Sequence, residues 1–173
     1  MQKEIILDLD GVIADIDTAI SDYMHYNFGV SMDYSKWLTT DTKDKEALKL
    51  FSNKIFWKNL KPFEDAWHQV NYWFGSGIDV HVLTARRSSA SKDAVSSWLN
   101  NWNINTTIPR FSLLNEKYKI AQEINPTYMV EDNPNEVIIL REHGVNCLLR
   151  KAWYNKSHWD ELPCIDTLYD LSF

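Results

Sequence analysis

With 173 residues the chain is long enough for one domain with a small inserted subdomain, and 45% hydrophobic and 13% aromatic residues argue against disorder. A formal net charge of -6 argues against a general basic surface, so no nucleic acid polymer is expected as a partner. Two cysteines are too few for a disulfide scaffold, and no apolar run approaches the ~20 residues of a membrane helix. With no leader pattern at the N-terminus, these features predict a soluble cytoplasmic protein without membrane partners.

An apolar strand over residues 5–9 is the first predicted element. Asp8 and Asp10 stand two apart at its end, so the strand period places both carboxylates on one face, and Gly11 permits a sharp turn. Neighbouring carboxylates at the end of a buried strand need a cation or a shared proton to relieve their repulsion. Because the ligands are oxygen atoms with no His or Cys nearby, the pattern predicts Mg²⁺. A solvated turn before a glycine is the alternative.

Helical spacing follows the first strand. A helix is predicted over 16–28 with a stop at Gly29, then an aromatic loop over 31–42, a short helix over 43–53, an apolar loop over 56–62 and a helix over 64–74. About sixty residues therefore separate the first strand from the second, far more than a βα crossover needs. We predict an inserted helical cap over residues 16–75, with the core formed by 1–15 and 76–173.

Strands and helices alternate through the rest of the chain. Strands are predicted over 79–84, within 108–114, over 127–130 and over 146–149. Helices are predicted from Ser88 or Ser89 to about Trp102, from Lys117 to 124 and over 135–143, and residues 153–173 are interpreted as a loop with a final helix. This alternation predicts an α/β fold, a Rossmann-like parallel sheet with helices on both faces and the small helical cap inserted.

Side chains suited to chemistry follow three of the predicted strands and open one helix. They are Asp8 with Asp10, Thr84, Glu131 with Asp132, and Lys117. Because ligands of a parallel sheet bind beyond the carboxyl ends of its strands, we expect these groups to meet. Asp8 is then the natural nucleophile of a phosphoryl-transfer site, and Asp10 is its general acid and base.

A phosphate-sized anion is predicted to bind at the end of the second strand. The hydroxyl of Thr84 and the backbone N–H groups that follow, that of Ala85 included, suit such an anion. Lys117 brings a positive charge to it, with Lys119 as a rival two residues later. Each group alone has an ordinary structural explanation, so the prediction depends on their occurring together. Arg86 could steer a phosphate, but an exposed, solvated side chain is the usual interpretation of an arginine after a strand.

These residues together resemble the motifs of the haloacid dehalogenase-like (HAD) hydrolases over nearly the full chain. The four motifs match, in order, Asp8 with Asp10, Thr84, Lys117, and Glu131 with Asp132. Most phosphatases of this type carry Asp-Asp at the fourth motif, where this chain has Glu-Asp. The resemblance therefore implies Asp8, Asp10 and Asp132 as metal ligands. It leaves open whether Glu131 contacts those ligands without binding the metal itself.

A closer resemblance is to the 5'(3')-deoxyribonucleotidases. It rests on residues 8–15, on the stretch 56–66 and on residues 83–86. The resemblance implies that Phe56 and Trp57 of the cap contact the nucleobase, although Ile16 stands where the best-known members have an aromatic residue. Phe56 and Trp57 could instead anchor the cap to the core.

The function implied is magnesium-dependent hydrolysis of a phosphomonoester through an aspartyl phosphate, with a deoxyribonucleoside monophosphate as substrate. A phosphatase for another small metabolite, a phosphotransferase, and a non-catalytic module that binds phosphate or a partner are the alternatives. The preferred base and sugar, the 5' or 3' position of the phosphate and the oligomeric state, a homodimer included, stay open.

Overall fold

The computed structural model of the protein describes residues 3–29, 54–86 and 89–173. Its centre is a parallel sheet made of β1 (Glu4–Leu7), β2 (Asp79–Thr84), β3 (Arg110–Phe111), β4 (Tyr128–Glu131), β5 (Cys147–Arg150) and β6 (Cys164–Ile165). The strands lie in the order β3-β2-β1-β4-β5-β6, and every neighbouring pair is parallel. The predicted fold class is thereby confirmed.

Six α-helices connect the strands within the described residues. They are α1 (Ile16–Phe28), α2 (Lys54–Asn59), α3 (Glu64–Gly75), α4 (Ser89–Asn101), α5 (Lys117–Ile124) and α6 (Pro134–Glu142). Local signals set their ends: Asp15 accepts a hydrogen bond from the Thr18 N–H at the start of α1, and Gly29 ends that helix in the left-handed conformation. Over the part of the chain that the structure describes, no helix is both long and apolar enough to cross a bilayer.

Alternate residues of the central strand enter two separate hydrophobic cores. Ile5 and Leu7 pack in the core that also receives Trp73 of α3, whereas Ile6 packs with Ala121 of α5 in the other. A strand covered on both faces reads as a continuous apolar run, which is the pattern by which β1 is recognised in the sequence.

Three features differ from the sequence-based expectations. Residues 54–59 form helix α2 where an apolar loop is predicted, because so short a helix has no full hydrophobic period to reveal it. The strand β6 is not predicted, since two residues carry no detectable alternation. The final segment contains short 3-10 helices, Trp153–His158 and Leu168–Asp170, in place of an α-helix. The loop predicted over 31–42 and the helix over 43–53 lie outside the described residues.

The division into a cap over 16–75 and a core stays a prediction. Within that stretch α3 lies against the sheet, with Ala66, Val70 and Trp73 buried in the first core. The segment after α2 is tied to α4, because the Leu60 carbonyl accepts hydrogen bonds from the indole N–H groups of Trp98 at 2.7 Å and Trp102 at 3.0 Å. These hydrogen bonds hold the segment that ends α2 against the last turn of α4.

The strand order also locates the point where the chain changes direction across the sheet. From β1 the chain builds outward through β2 and β3, then returns to β4 on the other side of β1 and continues to β6. A crevice forms at such a switch point, beyond the carboxyl ends of the strands. The Asp8 N–H donates to the Val130 carbonyl at 2.9 Å, so the ends of β1 and β4 are held side by side there.

Candidate active site

A buried lysine joins the ends of β1 and β4. The Nζ atom of Lys117 lies 2.9 Å from Asp8 Oδ1 and 2.6 Å from Glu131 Oε2, and its side chain is only 2% exposed. Burial opposes the charged form of Lys117, but the negative charges of Asp8 and Glu131 outweigh burial and raise its pKa. Lys119 instead is 55% exposed and pairs with Glu116. Lys117 is therefore the lysine that lies in the site.

Both oxygens of the Glu131 carboxylate are engaged by protein groups. Oε2 contacts Lys117, and Oε1 accepts hydrogen bonds from the backbone N–H groups of Asp132 at 3.2 Å and Asn133 at 3.3 Å. Glu131 thus orients the lysine and the turn after β4. Asp132, the next residue, is left as the carboxylate that points into the cluster.

Asp132 accepts hydrogen bonds from two side chains of the segment that follows β5. The Tyr154 hydroxyl donates to Asp132 Oδ2 at 2.5 Å, and the Asn155 side chain donates to the Asp132 carbonyl at 2.9 Å. Gly11, with φ of 74°, approaches the same carboxylate so closely that a Cβ atom there would overlap it and the Tyr154 hydroxyl. Gly11 is therefore required both for its backbone conformation and for the space it leaves.

Within the described residues, three carboxylates converge at this point around the positive charge of Lys117. Ligand oxygens of Asp8, Glu131 and Asp132 lie within 4.8 Å of one another, and all three residues are buried. Burial, reinforced by the charge of Glu131, raises the pKa of Asp8 well above its ordinary value. Burial also raises the pKa of Glu131 to about 7 although Lys117 lowers it, and burial together with Asp8 raises the pKa of Asp132 to about 7.

Asp10 is paired with an arginine, which corrects the interpretation of Arg86 as solvated. The guanidinium donates from Nε to Asp10 Oδ2 at 2.9 Å and from Nη2 to Oδ1 at 2.5 Å, and the Arg86 side chain is 10% exposed. Spacing could not reveal this pair, because the two residues lie 76 positions apart.

Thr84 and Ala85 follow at the same edge of the sheet. Thr84 is the last residue of β2, next to β1, and it is buried, while Ala85 is half-buried. The sheet therefore brings Thr84 to the edge where Asp8 stands, as expected for residues at the ends of neighbouring parallel strands. Their role in holding a phosphate stays a prediction.

Phe56 and Trp57 lie on α2, with the two rings edge to face at 5.4 Å between centroids. Trp57 is buried, and the Arg86 guanidinium carbon lies 3.6 Å from the centre of its ring. Trp57 thus joins α2 to the segment after β2, in line with the interpretation of these residues as an anchor. Contact of Phe56 and Trp57 with a nucleobase stays a prediction.

Comparison with known proteins finds similarity in structure. No protein-family model and no curated protein sequence matches the chain. Among solved structures, a candidate phosphatase from Clostridium difficile matches with a TM-score of 0.63 at 17% identity, over 98% of this chain and 96% of its own. CbbY from Rhodobacter sphaeroides, in complex with phosphate, matches with a TM-score of 0.63 at 13% identity, over 96% and 95%.

The fold is that of the haloacid dehalogenase-like hydrolases. An L-2-haloacid dehalogenase from Xanthobacter autotrophicus also matches, with a TM-score of 0.58 at 12% identity over 91% of this chain and 82% of its own. HAD-fold proteins of different chemistry are thus among the matches. Sequence identities this low establish similarity of fold alone. The chemistry of this chain therefore has to follow from its own residues.

The residues at this edge of the HAD fold suit a divalent cation. Three buried carboxylates share a single lysine, so with all three ionised the cluster would carry two negative charges that no group described around it neutralises. Uncompensated charge in an interior is costly, and a divalent ion removes it. All ligand atoms are oxygens, the donor set that Mg²⁺ prefers. Asp8 and Asp132 stay the predicted ligands, with Asp10 as a predicted third, whereas both oxygens of Glu131 are occupied by Lys117 and the backbone.

Stabilisation by Mg²⁺ is expected to depend on pH. Because the pKa of Asp132 rises from 3.8 to about 7 on folding, the metal-free folded state binds more protons than the unfolded state between these values. The stabilisation that protonated Asp132 contributes to the metal-free protein is therefore full below pH 3.8 and is lost as pH rises through 7. Mg²⁺ at 100-fold over its Kd should raise the melting temperature by about 5 to 10 °C at pH 8 and by much less at pH 5.

Differential scanning fluorimetry with and without Mg²⁺ at the two pH values measures this difference. The variant Asp132→Asn should lose the response, whereas Asp160→Asn, at an exposed aspartate, should keep it. An equal Mg²⁺ effect at both pH values would contradict the expectation.

The sequence analysis did not identify Tyr154 or Asp17 as residues of the site. Tyr154 lies in the 3-10 helix that follows β5, and a polar side chain after a strand end is a signal that could have found it. Asp17 is interpreted from the sequence as a helix N-terminal charge, but it also hydrogen-bonds with Tyr154, and burial followed by the charge of Asp15 raises its pKa to about 7. The tyrosine therefore connects α1 to Asp132, a predicted metal ligand.

Replacing Tyr154 with phenylalanine is expected to weaken Mg²⁺ binding by about 10- to 100-fold, because Asp132 loses the donor that orients Oδ2. The Mg²⁺ concentration that produces half of the thermal shift measures this change. Tyr169→Phe, at an exposed tyrosine, is the matched control. An unchanged half-effect concentration in Tyr154→Phe would show that the hydroxyl does not position the carboxylate.

Proposed function

We propose that the protein is a magnesium-dependent phosphomonoesterase that acts through an aspartyl phosphate at Asp8. The observation that carries the proposal is the convergence of Asp8, Lys117 and Asp132 at the carboxyl ends of β1 and β4. A nucleophilic carboxylate, a fixed positive charge and a second buried carboxylate form a site that attracts a cation and then an anionic ester.

Asp8 would act as the nucleophile. A carboxylate oxygen of Asp8 attacks phosphorus and the bond from phosphorus to the leaving oxygen breaks, while Asp10 gives that oxygen a proton. Water then attacks the aspartyl phosphate, Asp10 takes a proton from the water, and the Asp8 carboxylate and inorganic phosphate are released. Lys117, held at 2.9 Å from Asp8, keeps the nucleophile oriented through both steps.

The phosphoryl oxygens would be held by the groups that surround Asp8. The Thr84 hydroxyl and the Ala85 N–H lie at the end of the adjacent strand, and Lys117 adds its positive charge. Bound Mg²⁺ would supply further positive charge to the phosphoryl oxygens and neutralise the carboxylates. Each group acts by electrostatic stabilisation in a buried site, where such interactions are strong.

The proposed substrate is a deoxyribonucleoside monophosphate, a small molecule and not a polymer. The resemblance of residues 8–15, 56–66 and 83–86 to the 5'(3')-deoxyribonucleotidases supports this choice. A phosphatase of the same mechanism for another small metabolite is the nearest alternative, because the reaction centre itself does not select the leaving group.

A dehalogenase is the second candidate, since an L-2-haloacid dehalogenase shares the fold. Asp8 with Lys117 alone could also displace a halide from carbon. Asp132 and Glu131 favour the phosphatase, because a buried acidic cluster would repel a carboxylic acid substrate unless a cation neutralised it.

The test is an assay of the purified protein against 5' and 3' deoxyribonucleotides, ribonucleotides, sugar phosphates and 2-chloropropionate. We expect phosphate release from deoxyribonucleoside monophosphates that stops on chelation and returns with Mg²⁺. Phosphate release that survives chelation would contradict the metal-dependent mechanism. Chloride release from 2-chloropropionate without phosphatase activity would favour the dehalogenase.

A further inference from the structure

The pair formed by Arg86 and Asp10 presents a problem for the reaction just described. Both oxygens of the Asp10 carboxylate accept hydrogen bonds from the guanidinium of Arg86. An oxygen that faces an N–H donor cannot deliver a proton in the same direction. If Asp10 is the general acid, the arginine must leave it at some point in the catalytic cycle.

The Arg86 side chain is largely buried and contacts both Trp57 and Asp10. Its guanidinium stacks over the Trp57 ring at 3.6 Å while its edge faces Asp10. Stacking fixes the plane of the guanidinium but leaves it free to slide over the ring to another acceptor pair in that plane. A ligand group that offers two acceptor atoms side by side is the natural competitor, because the guanidinium fork binds such an edge with two parallel hydrogen bonds.

A cavity of about 340 Å³ lies directly beside Arg86. Its wall also includes Phe111, Ser112 and Leu113, from β3 and the segment after it, and the paired Glu116 and Lys119 with Ile120 at the start of α5. This size is within the range of small-molecule sites, and the apolar side chains offer a surface for a flat ring.

The same cavity adjoins the predicted phosphate site. Phe111 pairs with Thr84 in the sheet, and the Ser112 N–H donates to the Thr84 carbonyl at 3.1 Å. The Ser112 hydroxyl is buried and has no hydrogen-bond partner among the residues that the structure describes. A buried hydroxyl without a partner is costly, and because Ser112 also lines the cavity, turning its hydroxyl toward a ligand there would remove that cost.

We propose that this cavity is the subsite for the leaving group, and that Arg86 determines specificity by binding a planar edge with two adjacent acceptors. Such an edge takes the two hydrogen bonds of Arg86 away from Asp10, so the correct leaving group also frees the general acid. A carboxylate and a nucleobase edge such as O6 and N7 of guanine share this chemistry. The inference rests on the proposed phosphomonoesterase reaction and adds to it the class of leaving group.

Two matched pairs of substrates test whether Arg86 binds a carboxylate or the edge of a nucleobase. The first pair is 4-carboxyphenyl phosphate and phenyl phosphate, and the second is dGMP and dAMP, since adenine presents a donor beside N7. The measured quantity is the ratio of kcat/KM within each pair, compared between the wild-type protein and its variants, so that intrinsic leaving-group reactivity cancels.

The wild-type protein should prefer the two-acceptor member of at least one pair by about tenfold or more. Arg86→Gln should bring that ratio to the value found in solution, and Arg86→Lys should give an intermediate value, because an ammonium lacks the planar fork. The control Arg110→Gln, which removes a partly exposed arginine paired with Glu123, should keep the wild-type ratio. Preference confined to the first pair identifies a carboxylate, and preference confined to the second identifies a nucleobase.

An activity that falls equally for both members of each pair in Arg86→Gln would overturn the inference, because Arg86 would then only position Asp10. Absence of phosphatase activity in the wild-type protein would overturn the proposed function separately. Binding of benzoate and of deoxyguanosine, measured by titration calorimetry on wild-type protein and Arg86→Lys, tests the subsite without catalysis. No binding of either compound by the wild-type protein would exclude the subsite.

Discussion

Replacing Asp8 with asparagine is expected to lower kcat by about 10⁴-fold or more, because the side chain that forms the covalent intermediate is lost. The amide is nearly isosteric, so the loss reports chemistry and not shape. Steady-state phosphate release with the best substrate from the panel measures it.

The stability of Asp8→Asn provides the control for this result. Asp8 is buried among like charges and burial raises its pKa, so its removal relieves repulsion and should not lower the melting temperature of the metal-free protein. Asp160→Asn, at an exposed position, should leave both kcat and melting temperature unchanged. Substantial phosphate release by correctly folded Asp8→Asn would rule out the aspartyl phosphate.

Replacing Lys117 with methionine is expected to impair both catalysis and stability. The substitution removes the cation that contacts Asp8 and Glu131 and leaves these two buried carboxylates without it. Breaking a buried ion pair in this way should lower the free energy of unfolding by about 3 to 5 kcal/mol in the metal-free protein. Loss of a preorganised charge at the phosphoryl group should lower kcat by about 100-fold or more.

The pH dependence of Lys117→Met separates this cause from lost packing. Because Lys117 lowers the pKa of Glu131, the glutamate of Lys117→Met should take up a proton at a higher pH than in the wild-type protein, where its pKa is about 7, and the stability difference should shrink as pH falls toward 7. Urea unfolding at pH 5 and pH 8 measures the difference, and Lys119→Met, at the exposed lysine on the same helix, is the stability control. A loss of stability that is the same at both pH values would mean that packing, and not charge, is what Lys117 supplies.

The parallel sheet was predictable from the sequence because its signals are local. An apolar run such as that of β1, followed by turn residues and a helical period, reports strand and helix within a window of a few residues. The same locality explains the failures: β6 is too short to alternate, and α2 too short to show a helical period. Both are held in place by contacts with distant segments.

The candidate site was predictable in part for a related reason. Asp8, Thr84, Lys117 and Asp132 each stand at a strand end or helix start, and parallel topology brings such positions to one edge. Arg86 could not be assigned in this way, because the residue that follows a strand can face solvent or the site with no change in local pattern. Only the contact with Asp10 across the sheet decides between the two.

The sequence by itself determined the α/β class, the edge of the sheet at which the polar groups meet, and the residue types that meet there, because periodicity and strand-end position are short-range properties of the chain. The tertiary structure decided that Lys117 and not Lys119 enters the site and that Glu131 pairs with this lysine. It also decided that Tyr154 donates a hydrogen bond to Asp132 and that Arg86 donates to Asp10. These are contacts between segments far apart in the chain. Their geometry depends on how helices pack on the sheet, and side-chain packing at that distance leaves no trace in local spacing.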